Sequence, residues 1–209
     1  EITFTNPTKT GYTFEGWFTE SSFTNSITKI ELGSTGNVDV YAQWIAKTTS
    51  ISFNFQGGQD GSNEVSATFG SAMPSGINAP ASDNYNFLGY FDRSSGGNQY
   101  YDKDMNSAKN WDKEGITGIL FAQWEPKTYT ITFDPNNGAG GPAPVQAVTN
   151  QYLPDLTYPG DIPTRVSYDF MGYEDSMGTS YYDETLTPIL TWRAAEDFTL
   201  YARWAVIEP

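Results

Sequence analysis

Thr199-Leu200-Tyr201-Ala202-Arg203-Trp204 reads as a strand with one buried face. With Phe198 before it, Phe198, Leu200, Ala202 and Trp204 fall on one side of an extended chain, while Thr199, Tyr201 and Arg203 fall on the other. The phrase recurs as Val38-Asp39-Val40-Tyr41-Ala42-Gln43-Trp44 and as Ile119-Leu120-Phe121-Ala122-Gln123-Trp124. Trp44, Trp124 and Trp204 stand 80 positions apart each time (124−44 and 204−124). The Trp is expected to cap the core beneath its strand.

Upstream of each closing phrase lies a second one: Tyr12-Thr13-Phe14-Glu15-Gly16-Trp17, Tyr85-Asn86-Phe87-Leu88-Gly89-Tyr90 and Tyr168-Asp169-Phe170-Met171-Gly172-Tyr173. Its Tyr and Phe share a face, the Gly supplies a bulge or room for a close backbone approach, and the aromatic after Gly is expected on the opposite face. An opening phrase, Ile51-Ser52-Phe53-Asn54-Phe55-Gln56-Gly57-Gly58, returns as Ile131-Thr132-Phe133-Asp134-Pro135-Asn136-Asn137-Gly138. Tyr129, Ile131 and Phe133 alternate onto one face, and Asn-Asn-Gly is a hairpin signal. Return strands are expected over 65–69 and 145–149, ending before Pro74 and Pro154, since Pro cannot donate to a ladder.

The chain therefore divides into a partial module over 1–46 that lacks its opening hairpin, a module over 47–126 and a module over 127–209. A unit of this length exceeds a solenoid layer, so each copy should own its core. The sequence opens in mid-pattern, as though cut from something longer. Between the second phrase and the closing one, Ala194-Ala195-Glu196 has the length of one helical turn, and no amphipathic helix appears. The expected fold is mainly β, α+β at most, built of tandem small modules with the first copy incomplete. The four-residue links Ile45-Ala46-Lys47-Thr48 and Glu125-Pro126-Lys127-Thr128 should hold neighbours semi-rigidly, because Pro126 fixes its own φ.

Composition narrows the function. The 209 residues hold 25 Asp and Glu against 11 Lys and Arg, a net charge of −14 that repels nucleic acid and anionic membrane surfaces. There is no Cys for disulfides or thiolate-metal sites, and no His for acid–base work near neutral pH. The glycines at 57, 58, 138, 140 and 141 sit in turns, so no cofactor loop is visible and an enzyme is not expected. No apolar run is long enough to cross a membrane as a helix, and residues 1–20 lack a signal-peptide pattern.

Sharper candidates remain. Asp102-Lys103-Asp104-Met105-Asn106 opens like a calcium loop, but Ser107 replaces its Gly and Lys113 its closing Glu, leaving Asp102, Asp104 and Asn106 a weak metal candidate. Asp183 with Glu184, or Asp112 with Glu114, has the residue types of a glycosidase pair. Trp111, Trp192 and the pairs Tyr100-Tyr101 and Tyr181-Tyr182 offer ring faces to a glycan or a host protein if exposed, and core mass if not. The outward residues Tyr41 with Gln43, Phe121 with Gln123 and Tyr201 with Arg203 form a stripe, either a contact between neighbours or plain sheet surface. No spacing supports a Lys-Asn crosslink at Lys9 or Lys127.

Together the phrases Pro7 to Trp17, Ile131 to Gly138 and Leu200 to Trp204 resemble the Listeria-Bacteroides repeat, a bacterial surface module that includes the B repeat of internalin B. Copy two departs at Asn84-Tyr85-Asn86 and Phe121, and copy three at Val166-Ser167-Tyr168. The resemblance implies a compact β-grasp-like unit, strung in tandem in a secreted or wall-anchored bacterial protein. It implies a non-catalytic spacer and adhesion element outside the cell, with neighbouring repeats as partners and no cofactor. The alternative is a module that binds a glycan or host surface protein through exposed Trp and Tyr.

Overall fold

The computed structural model describes residues 1–156 and 160–208; among them are fifteen strands and no helix. Ala194 to Glu196, the one expected helical turn, is an irregular bend, and the fold is all-β. Copy one holds β1 (Ile2–Thr3), β2 (Tyr12–Phe18), β3 (Ser26–Ile27), β4 (Lys29–Ile30) and β5 (Tyr41–Ala46). Copy two holds β6 (Thr48–Asn54), β7 (Glu64–Thr68), β8 (Tyr85–Phe91), β9 (Gln99–Asp102) and β10 (Thr117–Pro126). Copy three repeats the order as β11 (Thr128–Asp134), β12 (Val145–Val148), β13 (Tyr168–Glu174), β14 (Ser180–Tyr182) and β15 (Phe198–Val206).

The two complete copies form the same five-stranded mixed sheet, β7-β6-β10-β8-β9 and β12-β11-β15-β13-β14. The closing strand lies in the middle. It runs parallel to the opening strand, with Ile131 opposite Phe198 and Phe133 opposite Leu200, and antiparallel to the second-phrase strand, with Phe170 opposite Trp204. The central strand is buried best, as its alternation requires: Leu200 and Ala202 are inaccessible, and Phe198 and Trp204 flank them in a core that includes Ile131, Tyr173, Tyr182, Leu186 and Trp192.

The Gly of the second phrase serves both roles expected of it. At Gly172 the ladder shifts register, φ is +108°, and a Cβ would stand 2.1 Å from the Tyr182 carbonyl oxygen. Gly89 repeats this with φ +134° and 2.2 Å to the Tyr101 carbonyl oxygen. The bulge overturns one expectation: the aromatic after Gly does not leave the core face. An inserted residue adds one step to the alternation, so side chains three apart return to the same side. Ring centroids accordingly meet at 5.2 Å for Phe170 and Tyr173, 5.2 Å for Phe87 and Tyr90, and 5.6 Å for Phe14 and Trp17.

The opening hairpin is wider than the sequence suggests. Asn136 and Asn137 take positive φ at the turn. Before β12 the chain first pairs with the stretch ahead of β13, through Ala139 N–H to Thr164 O at 2.8 Å and the reciprocal bond at 2.9 Å. The Trp of the closing phrase covers this turn, its Nε1–H donating to the carbonyls of Pro135 and Asn136 at 3.1 and 3.0 Å.

The described residues gather into two compact units, Glu1–Ala81 with Phe87–Gln123, and Ser82–Asn86 with Trp124–Pro209. Copy one lies in the first. It forms a three-stranded sheet, β3-β2-β5, beside the two-stranded ladder of β1 and β4, and none of its hydrophobic side chains is fully buried. Here β5 is an edge strand, whereas β15 is paired on both sides. Amides of Tyr41 to Trp44 are therefore expected to exchange at least about 100-fold faster than those of Leu200 to Trp204, because fewer buried contacts resist local opening. Equal protection by hydrogen-exchange NMR would refute this.

Candidate functional site

The six aromatic residues that a ligand would need at the surface are held inside the modules. Tyr100, Tyr101, Tyr182 and Trp192 are fully buried, Trp111 is 2% exposed and Tyr181 is half-buried. Trp111 packs on Tyr100 with centroids 5.1 Å apart, and Trp192 packs between Tyr181 and Phe198 at 5.6 Å from each. Tyr101 and Tyr182 donate their hydroxyls to the carbonyls of Pro74 and Pro154, both at 2.8 Å. Of the two readings the sequence leaves open for these rings, exposed faces or core mass, their burial matches core mass: small Cys-free modules spend their largest side chains on the core. Burial pushes the Tyr100, Tyr101 and Tyr182 hydroxyls well above the ordinary tyrosine range.

One difference between the copies follows from one substitution. Trp111 Nε1–H donates to Thr49 Oγ1 at 3.0 Å, and that hydroxyl donates to Gly115 O at 2.7 Å. Copy three has Tyr129 at the position of Thr49, and the Trp192 Nε1–H is buried without an acceptor among the described residues.

The acidic candidates organise turns. Asp102 Oδ1 accepts the N–H groups of Asp104 and Asn106 at 2.9 and 2.8 Å, and Asp183 Oδ1 accepts those of Thr185 and Thr187, both at 2.9 Å. These loops are Asx-type turns in which Oδ1 of the carboxylate holds the backbone N–H groups that follow it. Asp112 pairs with Lys109 at 2.6 Å and accepts the Tyr100 hydroxyl, while Glu114 accepts the Gly11 N–H and lies 3.8 Å from Lys47. The outward stripe also serves its own copy: Gln123 donates to the carbonyls of Arg93 and Gly96, and Arg203 to that of Met171.

Several of these carboxylates hold protons weakly. Burial alone would raise the Asp92 pKa, but Lys113 Nζ at 2.7 Å and the side-chain and backbone N–H groups of Asn98 outweigh it and hold Asp92 far below the usual carboxylate range. Asp102 is lowered chiefly by the Asn106 N–H. A folded pKa below the unfolded one lends stability that is complete above the unfolded value, near 4, and is lost as pH falls toward the folded value. Stability should therefore hold from pH 7 to about 5 and decline below about 4, less steeply in Asp92→Asn. Urea melts across this range check it, and an unchanged slope in the variant counts against the assignment.

What the sequence did not single out is the corner where one copy meets the next. In the first unit, Pro7, Lys9, Tyr12, Trp44, Lys47 and Glu114 line a cleft of about 450 Å³. Strands β5 and β6 are separated by Lys47 alone, and its peptide groups bond both ways: Lys47 N–H donates to Gly11 O at 2.9 Å, and Lys47 O accepts the Phe69 N–H at 2.9 Å. In the second unit Lys127 does the same, donating to Asn84 O at 3.0 Å and accepting from Thr149 N–H at 3.2 Å. The signal was present in the recurring Tyr and in the Lys at the start of both complete copies, but backbone bonds leave no trace in side-chain patterns.

A family model described as the Listeria-Bacteroides repeat domain matches residues 2–43, 50–112 and 129–203. The chain belongs to the Listeria-Bacteroides repeat family. The family matches fall one to a copy, so the chain is a tandem array of that repeat. Two relatives from Evansella cellulosilytica are each 30% identical over 207 residues. One, named "Putative membrane protein", aligns with 97% of this chain and 28% of its own length. The other, named "Putative Gly-rich membrane protein", aligns with 95% of this chain and 21% of its own length. The chain thus spans less than a third of either relative. No solved structure matches it closely enough to register.

Proposed function

We propose that these Listeria-Bacteroides repeats are a non-catalytic spacer and interaction segment of a bacterial cell-envelope protein, displayed outside the cell. One observation carries the reading: Lys47, the single residue between the strands of copies one and two, is hydrogen-bonded on both of its sides. A linker so held transmits position from one repeat to the next, which a flexible tether cannot do. The names of the two relatives favour the envelope. Burial of Trp111 and Trp192 in the cores and the use of Asp102 and Asp183 to hold turns favour a mechanical role.

Backbone order at the links tests the spacer. Order parameters of Lys47 and Lys127 are expected near the 0.85 of rigid strands, and values below about 0.6 would remove the basis for the reading. Adhesion to a host surface protein or glycan is the finer part of the proposal. A glycan array and a host-cell extract screen with the whole chain test it; binding that survives removal of the surface residues around the cleft at Lys9 and Trp44 would point to another face.

A further inference from the structure

The corner that holds Lys47 in the first unit is built three times in this chain. Pro7-Thr8-Lys9-Thr10-Gly11-Tyr12, Pro80-Ala81-Ser82-Asp83-Asn84-Tyr85 and Pro163-Thr164-Arg165-Val166-Ser167-Tyr168 occupy equivalent places. The first and third share a turn, with Tyr12 N–H donating to Lys9 O at 3.1 Å and Tyr168 N–H to Arg165 O at 3.2 Å. They share a cation over the ring as well: Lys9 Nζ lies 4.1 Å from the Tyr12 centroid, and the Arg165 guanidinium 3.8 Å from that of Tyr168. The acceptor carbonyl is matched throughout. Ile207 N–H donates to Ser167 O at 3.1 Å, as Lys47 does to Gly11 and Lys127 to Asn84.

On the first corner the residue that follows the return strand of the next repeat sits against this turn, and on the second corner the residues at the two positions change size in opposite directions. Gly11 faces Phe69 so closely that a Cβ on Gly11 would stand 2.2 Å from the Phe69 ring, and that ring packs on Tyr12 at 5.7 Å. The second corner carries the larger Asn84, and the residue in the place of Phe69 is the smaller Thr149. Thr149 is 2% exposed, the Asn84 Oδ1 is buried, and Asn150 Nδ2 donates to the Tyr85 hydroxyl at 2.8 Å. The third corner has Ser167, with φ +65°, next to Val166, which is 91% exposed.

We propose that the corner formed by Arg165, Ser167, Tyr168 and Ile207 is a docking face for the opening hairpin of a further Listeria-Bacteroides repeat, and that Ser167 selects one ending its return strand in a small residue rather than Phe. The size of the side chain at the Gly11, Asn84 and Ser167 position thus sets which repeat can follow which. This rests on the spacer reading for the choice of occupant. It adds an order to the array that a spacer does not require.

The test extends the full chain. Residues 127–208, which carry Thr149, or 47–126, which carry Phe69, are joined directly after Val206, so that Lys127 or Lys47 falls in the place of Ile207. The same pieces on a flexible Gly-Ser tether report whether each appended repeat folds. Hydrogen exchange across Arg165 to Tyr168 should slow at least about tenfold with the directly joined Thr149 repeat, relative to its tethered form. The Phe69 repeat should give no such slowing until Ser167→Gly is introduced, which should restore it. Equal protection by both repeats, protection by neither, or no rescue by Ser167→Gly would overturn the proposal. Order at Lys47 and Lys127 is read at other residues, so failure of the spacer reading would be seen separately.

Discussion

Gly172→Ala is expected to destabilise the third copy by roughly 3 to 5 kcal/mol, and Gly89→Ala to do the same to the second. Two costs combine. A non-Gly residue at φ +108° or +134° is strained, and the added methyl would meet the carbonyl of Tyr182 or Tyr101 at 2.1 or 2.2 Å. That carbonyl belongs to the neighbouring strand of the sheet, so relief requires parting β13 from β14, or β8 from β9. Gly16 offers an internal comparison, because a Cβ there meets only the Phe18 ring, at 3.5 Å, and Gly16→Ala should cost about 1 kcal/mol. Gly178, with φ +85° and nothing within 4 Å, should behave like Gly16. Urea unfolding of the four variants settles the order. If Gly172→Ala and Gly178→Ala came within about 1 kcal/mol of each other, close approach would not be what fixes the glycine.

Trp192→Ala and Trp111→Ala should each cost about 3 to 5 kcal/mol, the range for removing a large aromatic from a packed core. The loss is structural, so it should appear equally with and without any candidate ligand. The two positions part under a gentler change. Trp111→Phe removes the bond to Thr49, whereas Trp192→Phe removes an N–H buried with no acceptor among the described residues. An unsatisfied buried donor costs about 1 to 3 kcal/mol, so Trp192→Phe is expected to be the milder of the pair by about 1 kcal/mol or more. Melts of the two variants decide it: the reverse order would mean that the unpaired indole of Trp192 carries no penalty.

The repeat itself was legible because it lies in side chains. Leu200 and Ala202 alternate with Thr199 and Tyr201, and an alternation with one buried face has a single reading as structure. Three strands of each complete copy and the Gly bulge followed from such patterns. The position of the aromatic after Gly did not, because a bulge alters the count of the alternation by one and local sequence does not reveal that it has done so. Nor did the burial of Tyr100, Tyr101, Trp111 and Trp192. An aromatic in a polar stretch looks the same whether it faces water or a core assembled from strands distant in sequence.

The sequence by itself determined the family and the mainly β class, because each is a property of recurring local pattern. Only the tertiary structure decided that the parallel pairing of the opening and closing strands places the closing strand at the centre, that the candidate rings are core, and that the peptide groups of Lys47 and Lys127 are each hydrogen-bonded on both sides. Those outcomes depend on backbone hydrogen bonds and burial between segments some 20 to 70 residues apart, which pairwise geometry fixes and residue identity does not.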